Sequence, residues 1–446
     1  MRETLRTLTP HYRAILRLGT PIAIGQTGVI LLSFADTMMV GRYSTEALAA
    51  ASFTNNVFNL VTCLLLGYSY GLTPVVSSLC GRGCLRRAGA ALKAALAANA
   101  LFALVLMAVM AALYFLLDRM GQPPAILPLV RPYYIVVLVS MAFVMLFNVL
   151  RQFTDGLSHP AVGMWVLLGG NLLNIVGNWL LIYGAGPLPE WGLFGAGVST
   201  LASRVLMVAA MAAVLLTGRP YARCRTGFAL AALRAAAVRR IHRLSLPVSL
   251  QIGMETGAFT ASGVMAGWLG TLSLATYQVM LSVGTLGYLI YYSYGAALSI
   301  RTGLCLGQGD LPQLRLTVCA GRHVLLALSL LVALTFLVAG RTLTGLFTDD
   351  PAVAAMAAGL ILPLMLYQVG DAMQICYANA LRGTGHVESM MPVAFVSYVA
   401  VNIPAAYLLA FPARLGLTGI YLAFSCGLFV AAALFIRQFR RVVAGL

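Results

Sequence analysis

Long, nearly uncharged runs separated by short polar segments set the pattern of this chain. Twelve occur, at 15–40, 52–79, 93–117, 128–150, 161–184, 192–216, 244–269, 274–300, 319–340, 353–378, 390–411 and 416–436. As a helix, an apolar run of about 18 residues or more is long enough to cross the hydrocarbon of a bilayer. A helix also satisfies its own backbone where no water can do so. The pattern therefore predicts an all-α polytopic membrane protein with twelve transmembrane helices. Composition supports this, with 61% hydrophobic and only 9% charged residues, against about 25% charged in soluble domains. The start of the chain has no short apolar region followed by a small-residue cleavage site, so no cleaved signal peptide is expected.

The net charge of +17 raises the question of a nucleic-acid partner, and its distribution argues against one. With the N-terminus in the cytoplasm and the spans alternating, 23 of the 29 basic residues fall on the inside. They include Arg2, Arg6, Arg13 and Arg17 at the N-terminal end and seven arginines between 217 and 243. Outside segments keep Arg42, Arg119, Arg131, Arg341 and Arg414, and Arg204 falls within a span. This is the positive-inside asymmetry that orients membrane proteins. It predicts cytoplasmic termini and no nucleic-acid partner. The eight cysteines form no CxxC pair and read as small hydrophobes, mostly within spans.

Shifted by 226 residues, the chain matches itself weakly but in order. L-G-T-P at 18–21 meets L-S-L-P at 244–247, Gly41 meets Gly267, and Gly81 meets Gly307. At an offset five larger, Leu150-Arg151 meets Leu381-Arg382 and Asn171 meets Asn402. Six spans return a chain to its starting side, so two such copies are parallel repeats. The expected domains are an N-terminal six-helix bundle over 1–216, a basic cytoplasmic linker over 217–243 and a C-terminal six-helix bundle over 244–446. Repeats of this kind place a substrate cavity between two pseudo-symmetric bundles. Pro21 and Pro247, equivalent in the two copies, are candidate bends or ordinary helix-start prolines.

The chain has twelve acids. Glu3, Glu46, Asp118, Glu190, Asp310, Asp349 and Asp350 fall in loops, and Asp155 and Glu388 lie near Arg151 and Arg382, which local pairing explains. Asp36, Glu255 and Asp371 remain, each inside a span. At 1.5 Å per residue, Glu255 lies roughly 18 Å from Arg243, Asp371 roughly 16 Å from Arg382, and Asp36 roughly 28 Å from Arg17. A carboxylate at the centre of a span costs about 2.5–3.5 kcal/mol on insertion scales. Facing a wet cavity, binding a cation or taking a proton lowers that cost, so intramembrane acids mark functional sites by default. Arg204 is the one basic candidate partner.

Neighbouring positions extend these sites in two ways each. Asn174 and Asn178 share a face of the fifth span, and the sixth offers Ser199 and Thr200. Their oxygens suit a proton network or a hard cation, and equally suit helix–helix hydrogen bonding. Phe259 lies one turn from Glu255, and Tyr367 one turn before Asp371. They suit an organic cation held by charge and cation–π attraction, or simple packing. The chain has no G-x-x-x-x-G-K-[ST] loop, no H-E-x-x-H and a single lysine. The five histidines are expected at helix ends or loops. No cofactor and no enzymatic activity are expected; secondary transport is the remaining reading.

Five stretches carry a resemblance: F-A-D-T-M-M-V-G-R (34–42) with A-L-A-A, R-Q-F-T-D-G-L-S (151–158), E-T-G-A-F (255–259), S-I-R-T-G (299–303), and Y-Q-V-G-D-A-M-Q (367–374) followed by L-R-G (381–383). They cover both halves, and the chain resembles the MATE family of multidrug and toxic-compound exporters, in its NorM-like branch. The resemblance implies a bacterial inner-membrane antiporter, functional as a monomer, that exports cationic, amphipathic drugs or dyes in exchange for Na⁺ or H⁺. By position, Asp36 with Asn174 resembles the first-half coupling site, and Glu255 and Asp371 the second-half cation site, a place for Na⁺, with Phe259 nearby. Position 178 is Asn where some members carry Asp. A flippase for a lipid-linked saccharide is the alternative; its anionic cargo would call for cavity arginines, and only Arg204 is on offer.

Overall fold

The computed structural model describes residues 2–184, 189–345, 348 and 350–445, without the side chains of 2–6 and 341. Asp349 and the side chains of Arg2, Glu3, Arg6 and Arg341 thus lie outside the described residues. The described chain is helical throughout, with no strand. Its elements are α1 (Arg2–Tyr43), α2 (Thr45–Ser69), α3 (Leu72–Gly81), α4 (Leu85–Tyr114), α5 (Leu127–Gly156), α6 (Pro160–Ile182), α7 (Gly192–Thr217) and α8 (Ala222–Leu230). The second half holds α9 (Ala235–Trp268), α10 (Thr271–Gln308), α11 (Leu311–Gly345), α12 (Pro351–Gly359), α13 (Ile361–Thr384), α14 (Met390–Ala394), α15 (Ile403–Ala410) and α16 (Gly416–Gly445).

All twelve apolar runs lie on these helices, and three of them are interrupted; the run 52–79 passes from α2 to α3 across Tyr70 and Gly71. The run 353–378 is broken at Leu360, where α12 and α13 bend by 54°. The run 390–411 contains a π-helical stretch, Phe395–Asn402, between α14 and α15. Among the described residues, ten helices are long and apolar enough to cross a membrane, and the bent pair counted as one span makes an eleventh. The twelfth, α9, is 34 residues long but is diluted by Gln251 and Glu255. The expected linker is also largely helical, since α8 and the first turns of α9 lie within 217–243.

Packing divides the chain differently from the repeat boundaries drawn above. One compact unit holds residues 24–249, the other 1–23 with 250–446. The cause is helix length. At 42 residues, α1 is about 63 Å long, twice the thickness of a bilayer's hydrocarbon core, so its two ends have different neighbours. Each division falls two residues after an equivalent proline, Pro21 within α1 and Pro247 within α9.

The exchanged segments are fastened by polar contacts, several from histidines that prove to be inside helices. In the unit containing 1–23, His11 Nδ1 lies 2.9 Å from Thr317 Oγ1, and Tyr12 Oη lies 2.8 Å from His323 Nδ1. In the other, Tyr68 Oη lies 2.7 Å from His242 Nδ1, and Ser249 donates to the Leu64 carbonyl at 2.8 Å. Tyr68 and Tyr294 are one repeat apart and play matching parts, for Tyr294 Oη lies 3.3 Å from Thr20 Oγ1. The two arginines at equivalent positions, Arg151 and Arg382, are buried. Arg151 Nε lies 3.9 Å from Asp155 Oδ2, as local pairing predicted. Arg382 donates to Asn379 Oδ1 at 3.3 Å, and Glu388 is exposed.

α8 is held on α4 by two glycines that allow backbone contact. A Cβ on Gly89 would lie 1.8 Å from the Cys224 carbonyl oxygen, and one on Gly227 would lie 1.9 Å from the Arg86 carbonyl oxygen. Lys93 completes the contact, donating to the Ala231 carbonyl at 2.9 Å with its ammonium over the Phe228 ring. Gly227→Ala is therefore expected to destabilise this contact by about 1–3 kcal/mol, as overpacking does. Thermal unfolding of the detergent-purified protein should show a lowered Tm. Gly169→Ala, where nothing lies within 4 Å, should leave it unchanged.

Candidate functional site

In the 24–249 unit, four residues named from the sequence meet. Asp36, half-buried, lies seven residues before the end of α1. Asn178 of α6 donates from Nδ2 to Asp36 Oδ1 at 2.6 Å. One turn earlier, the Asn174 amide nitrogen donates to the same Oδ1 at 2.9 Å, while its oxygen lies 3.1 Å from Thr200 Oγ1 of α7. A cavity of about 80 Å³ opens beside them, lined among others by Ser52, Asn55 and Tyr133, with space for a few waters.

In the other unit, Glu255 of α9 and Asp371 of α13 are near enough for their charges to interact. Asp371 is 1% exposed, and among the described residues neither of its oxygens has a hydrogen-bond partner. Buried polar groups are nearly always paired, so two orphaned carboxylate oxygens mark a place for a cation, a proton or water. A cavity of about 20 Å³, room for one water, adjoins Glu255 and is lined by Gln251, Gln374, Asn379 and Arg382 among others. Phe259 and Tyr367 join an aromatic cluster around these acids. Phe259 stacks on Phe424 at 4.5 Å between centroids and meets Tyr367 edge-on at 6.2 Å, so its ring is engaged in packing.

Several site residues lay outside the sequence reading. Gln251 precedes Glu255 by four positions and Gln374 follows Asp371 by three, a helical spacing that marks them as same-face neighbours. Tyr398, within the π-helical stretch, acts on both acids; no local signal points to it, because its place depends on how that helix packs. Arg204, left open above, belongs to the first site. Its Nη1 donates to Ser140 Oγ of α5, and it lies within electrostatic reach of Asp36 and Tyr133.

Acids lodged inside membrane-length helices, repeated in two packed units with small polar cavities beside them, define the class of polytopic membrane transporters. Comparison with known proteins narrows this. A family model described as MatE matches residues 21–180 and 247–408, one stretch in each half, and the chain belongs to that family of multidrug efflux transporters. It is similar to a probable multidrug resistance protein NorM of Bradyrhizobium diazoefficiens, 28% identical over 439 residues, covering 97% of this chain and 94% of that one. It is likewise 28% identical to multidrug resistance protein NorM of Photobacterium profundum, over 89% of this chain and 87% of that one. A crystal structure of MATE in the straight conformation superposes with a TM-score of 0.88 at 21% identity, over 98% of this chain and 96% of that one. The eukaryotic MATE transporter AtDTX14 gives 0.87 at 19% identity, over 98% and 99%. At these identities the structural likeness establishes the fold.

The two kinds of buried acid predict opposite stability effects. Asp371→Asn removes a carboxylate that has no hydrogen-bond partner among the described residues and should raise the stability to thermal unfolding in sodium-free detergent solution, by about 1 kcal/mol or more. Asp155→Asn strands Arg151 and should lower it, by about 3 kcal/mol.

Proposed function

We propose that this protein exports cationic, amphipathic small molecules across the bacterial inner membrane by alternating-access antiport with Na⁺ or H⁺. It works as a monomer surrounded by lipid, with both termini in the cytoplasm, needs no cofactor and catalyses no covalent reaction. The observation that carries this reading is the Asp371 carboxylate, buried beside Glu255 with both oxygens unpartnered. A site of that kind holds a cation or a proton and releases it, because neither state is locked by neighbouring donors. Oxygens of Glu255, Asp371, Gln374 and Tyr398 suit Na⁺, a hard ion, and a cationic drug competes for the same negative charge, with Tyr367 and Phe259 as its aromatic border. In the first half, Asp36, Asn174, Asn178 and Thr200 form a hydrogen-bonded cluster in which Asp36 takes up and gives off a proton or an ion. Ion or proton entry displaces the drug outward; ion release inward resets the carrier. The alternative, a flippase for a lipid-linked saccharide, draws little support, since Arg204 donates to Ser140 Oγ rather than being presented to an anionic cargo.

Ethidium efflux from loaded cells lacking their own pumps tests the proposal, under imposed Na⁺ or H⁺ gradients. Wild-type efflux should require one gradient, which identifies the ion. Asp36→Asn, or Glu255→Gln with Asp371→Asn, should lower it at least tenfold. Absence of wild-type efflux under every gradient would favour the flippase. Pro21→Ala should slow efflux if the residue bends α1; an unchanged rate would assign that proline to structure alone.

A further inference from the structure

The positive-inside rule accounts for the arginines between 217 and 243, but not for what lies beneath them. There the Gly89 and Gly227 backbones sit directly against the carbonyls of Cys224 and Arg86. Those contacts fix where α8 rests on α4, and a cavity of about 330 Å³ stays open among α4, α5, α7 and α8. Its walls are almost wholly apolar and include Leu92, Leu96, Phe153, Leu215, Leu216 and Phe228. Leu216 is 67% exposed, so the cavity opens on the surface of its unit. Protein interiors hold few voids larger than a water molecule, whereas ligand sites run from about 300 to 1,000 Å³. Apolar walls facing empty space forfeit dispersion contacts, and water does not replace them. A bilayer supplies hydrocarbon that does.

The rim carries charge of one sign. Arg225 lines the cavity and donates from Nη1 to the Leu215 and Gly218 carbonyls at 3.3 and 3.0 Å, which holds its guanidinium at the end of α7. From the α4 side, the Lys93 ammonium stands over the Phe228 ring. Arg219 and Arg223, both exposed, lie within two residues of the lining residues Tyr221 and Arg225. No acid occurs between Glu46 and Asp118 or between Glu190 and Glu255, so α4, α7 and α8 carry none. α5 carries Asp155, buried beside Arg151. An organic cation is repelled from such a rim, and a nucleic acid or free phosphate would leave the apolar cavity unused. A hydrocarbon chain that ends in a negatively charged group suits both parts.

We propose that the cavity under α8 is a binding site for one anionic glycerophospholipid, such as phosphatidylglycerol. An acyl chain lies among Leu96, Phe153, Leu215 and Phe228, and the phosphate and head group meet Arg219, Arg223 and Arg225. Basic pockets between spans on the cytoplasmic side bind anionic head groups in this way. The orientation proposed above puts this one in the inner leaflet. The lipid ties the basic segment to α4, α5 and α7. Its binding is read directly, so a failure of ethidium efflux bears on the exporter reading alone.

Native mass spectrometry tests the proposal on the full-length protein, delipidated in detergent and titrated with phosphatidylglycerol or with phosphatidylcholine of the same acyl chains. One phosphatidylglycerol should bind at least tenfold tighter than phosphatidylcholine. Arg219→Gln with Arg223→Gln should erase that preference. Ala212→Phe, which fills the cavity from α7, should weaken phosphatidylglycerol binding at least tenfold with every arginine intact. Equal affinity for the two lipids in the wild type overturns the proposal, as does tight, selective binding that survives either variant at the wild-type unfolding temperature. If the variants do not fold, the wild-type protein decides, with a phosphatidylglycerol that carries a diazirine at the end of one acyl chain. Crosslinks concentrated in 92–96, 150–153, 212–216 and 224–229 uphold the site; crosslinks spread evenly over the membrane-spanning helices overturn it.

Discussion

The cost of holding a carboxylate away from water governs the interior of this protein. Wherever an acid enters a membrane-length helix, the neighbouring residues answer it in one of three ways. Asp155 is answered by a buried arginine one turn earlier on the same helix. Asp36 is answered by amides from α6 and a guanidinium from α7. Asp371 has no hydrogen-bond donor among the described residues, and the charge acting on it is a second acid. An acid paired with a fixed charge on its own helix, as Asp155 is with Arg151, is structural, because removing its partner strands a charge. An unanswered one invites a mobile partner from outside the protein.

The duplication makes this contrast informative. Both halves inherit one arrangement, visible in Tyr68 and Tyr294, Arg151 and Arg382, and the prolines at 21 and 247. On that common frame the polar content has diverged. The first half keeps one acid with amides and an arginine; the second keeps two acids with oxygens and an aromatic border. Two copies of one bundle thus offer unlike sites, and the difference lies in a handful of side chains rather than in the fold.

The long helices α1 and α9 add a second constraint. Each runs without a break past an interior proline, and each has its first turns packed in one unit and the remainder in the other. Proline removes one backbone hydrogen bond and crowds the preceding turn, so the least expensive place to flex such a helix lies where its neighbours change. The polar ties of the exchanged segments, His11 to Thr317 and His242 to Tyr68, keep those ends in place.

The sequence by itself determined the helical membrane class, the duplication and the three intramembrane acids, because apolar length, arginine placement and charge depth are local, one-dimensional quantities. It also paired Asp36 with Asn174, Asn178 and Thr200 and placed Phe259 and Tyr367 beside the second-half acids, through helical spacing and the family resemblance. Only the tertiary structure decided what faces what. Tyr398 reaches Glu255 and Asp371 from a distant π-helical stretch, Phe259 is committed to Phe424, and Arg204 turns toward Ser140 and Asp36. The unit boundaries at 23 and 249 were equally out of reach, since nothing in the composition changes there. Side-chain partners across helices depend on rotation and packing, and a linear pattern carries no record of the azimuth at which one helix meets the next.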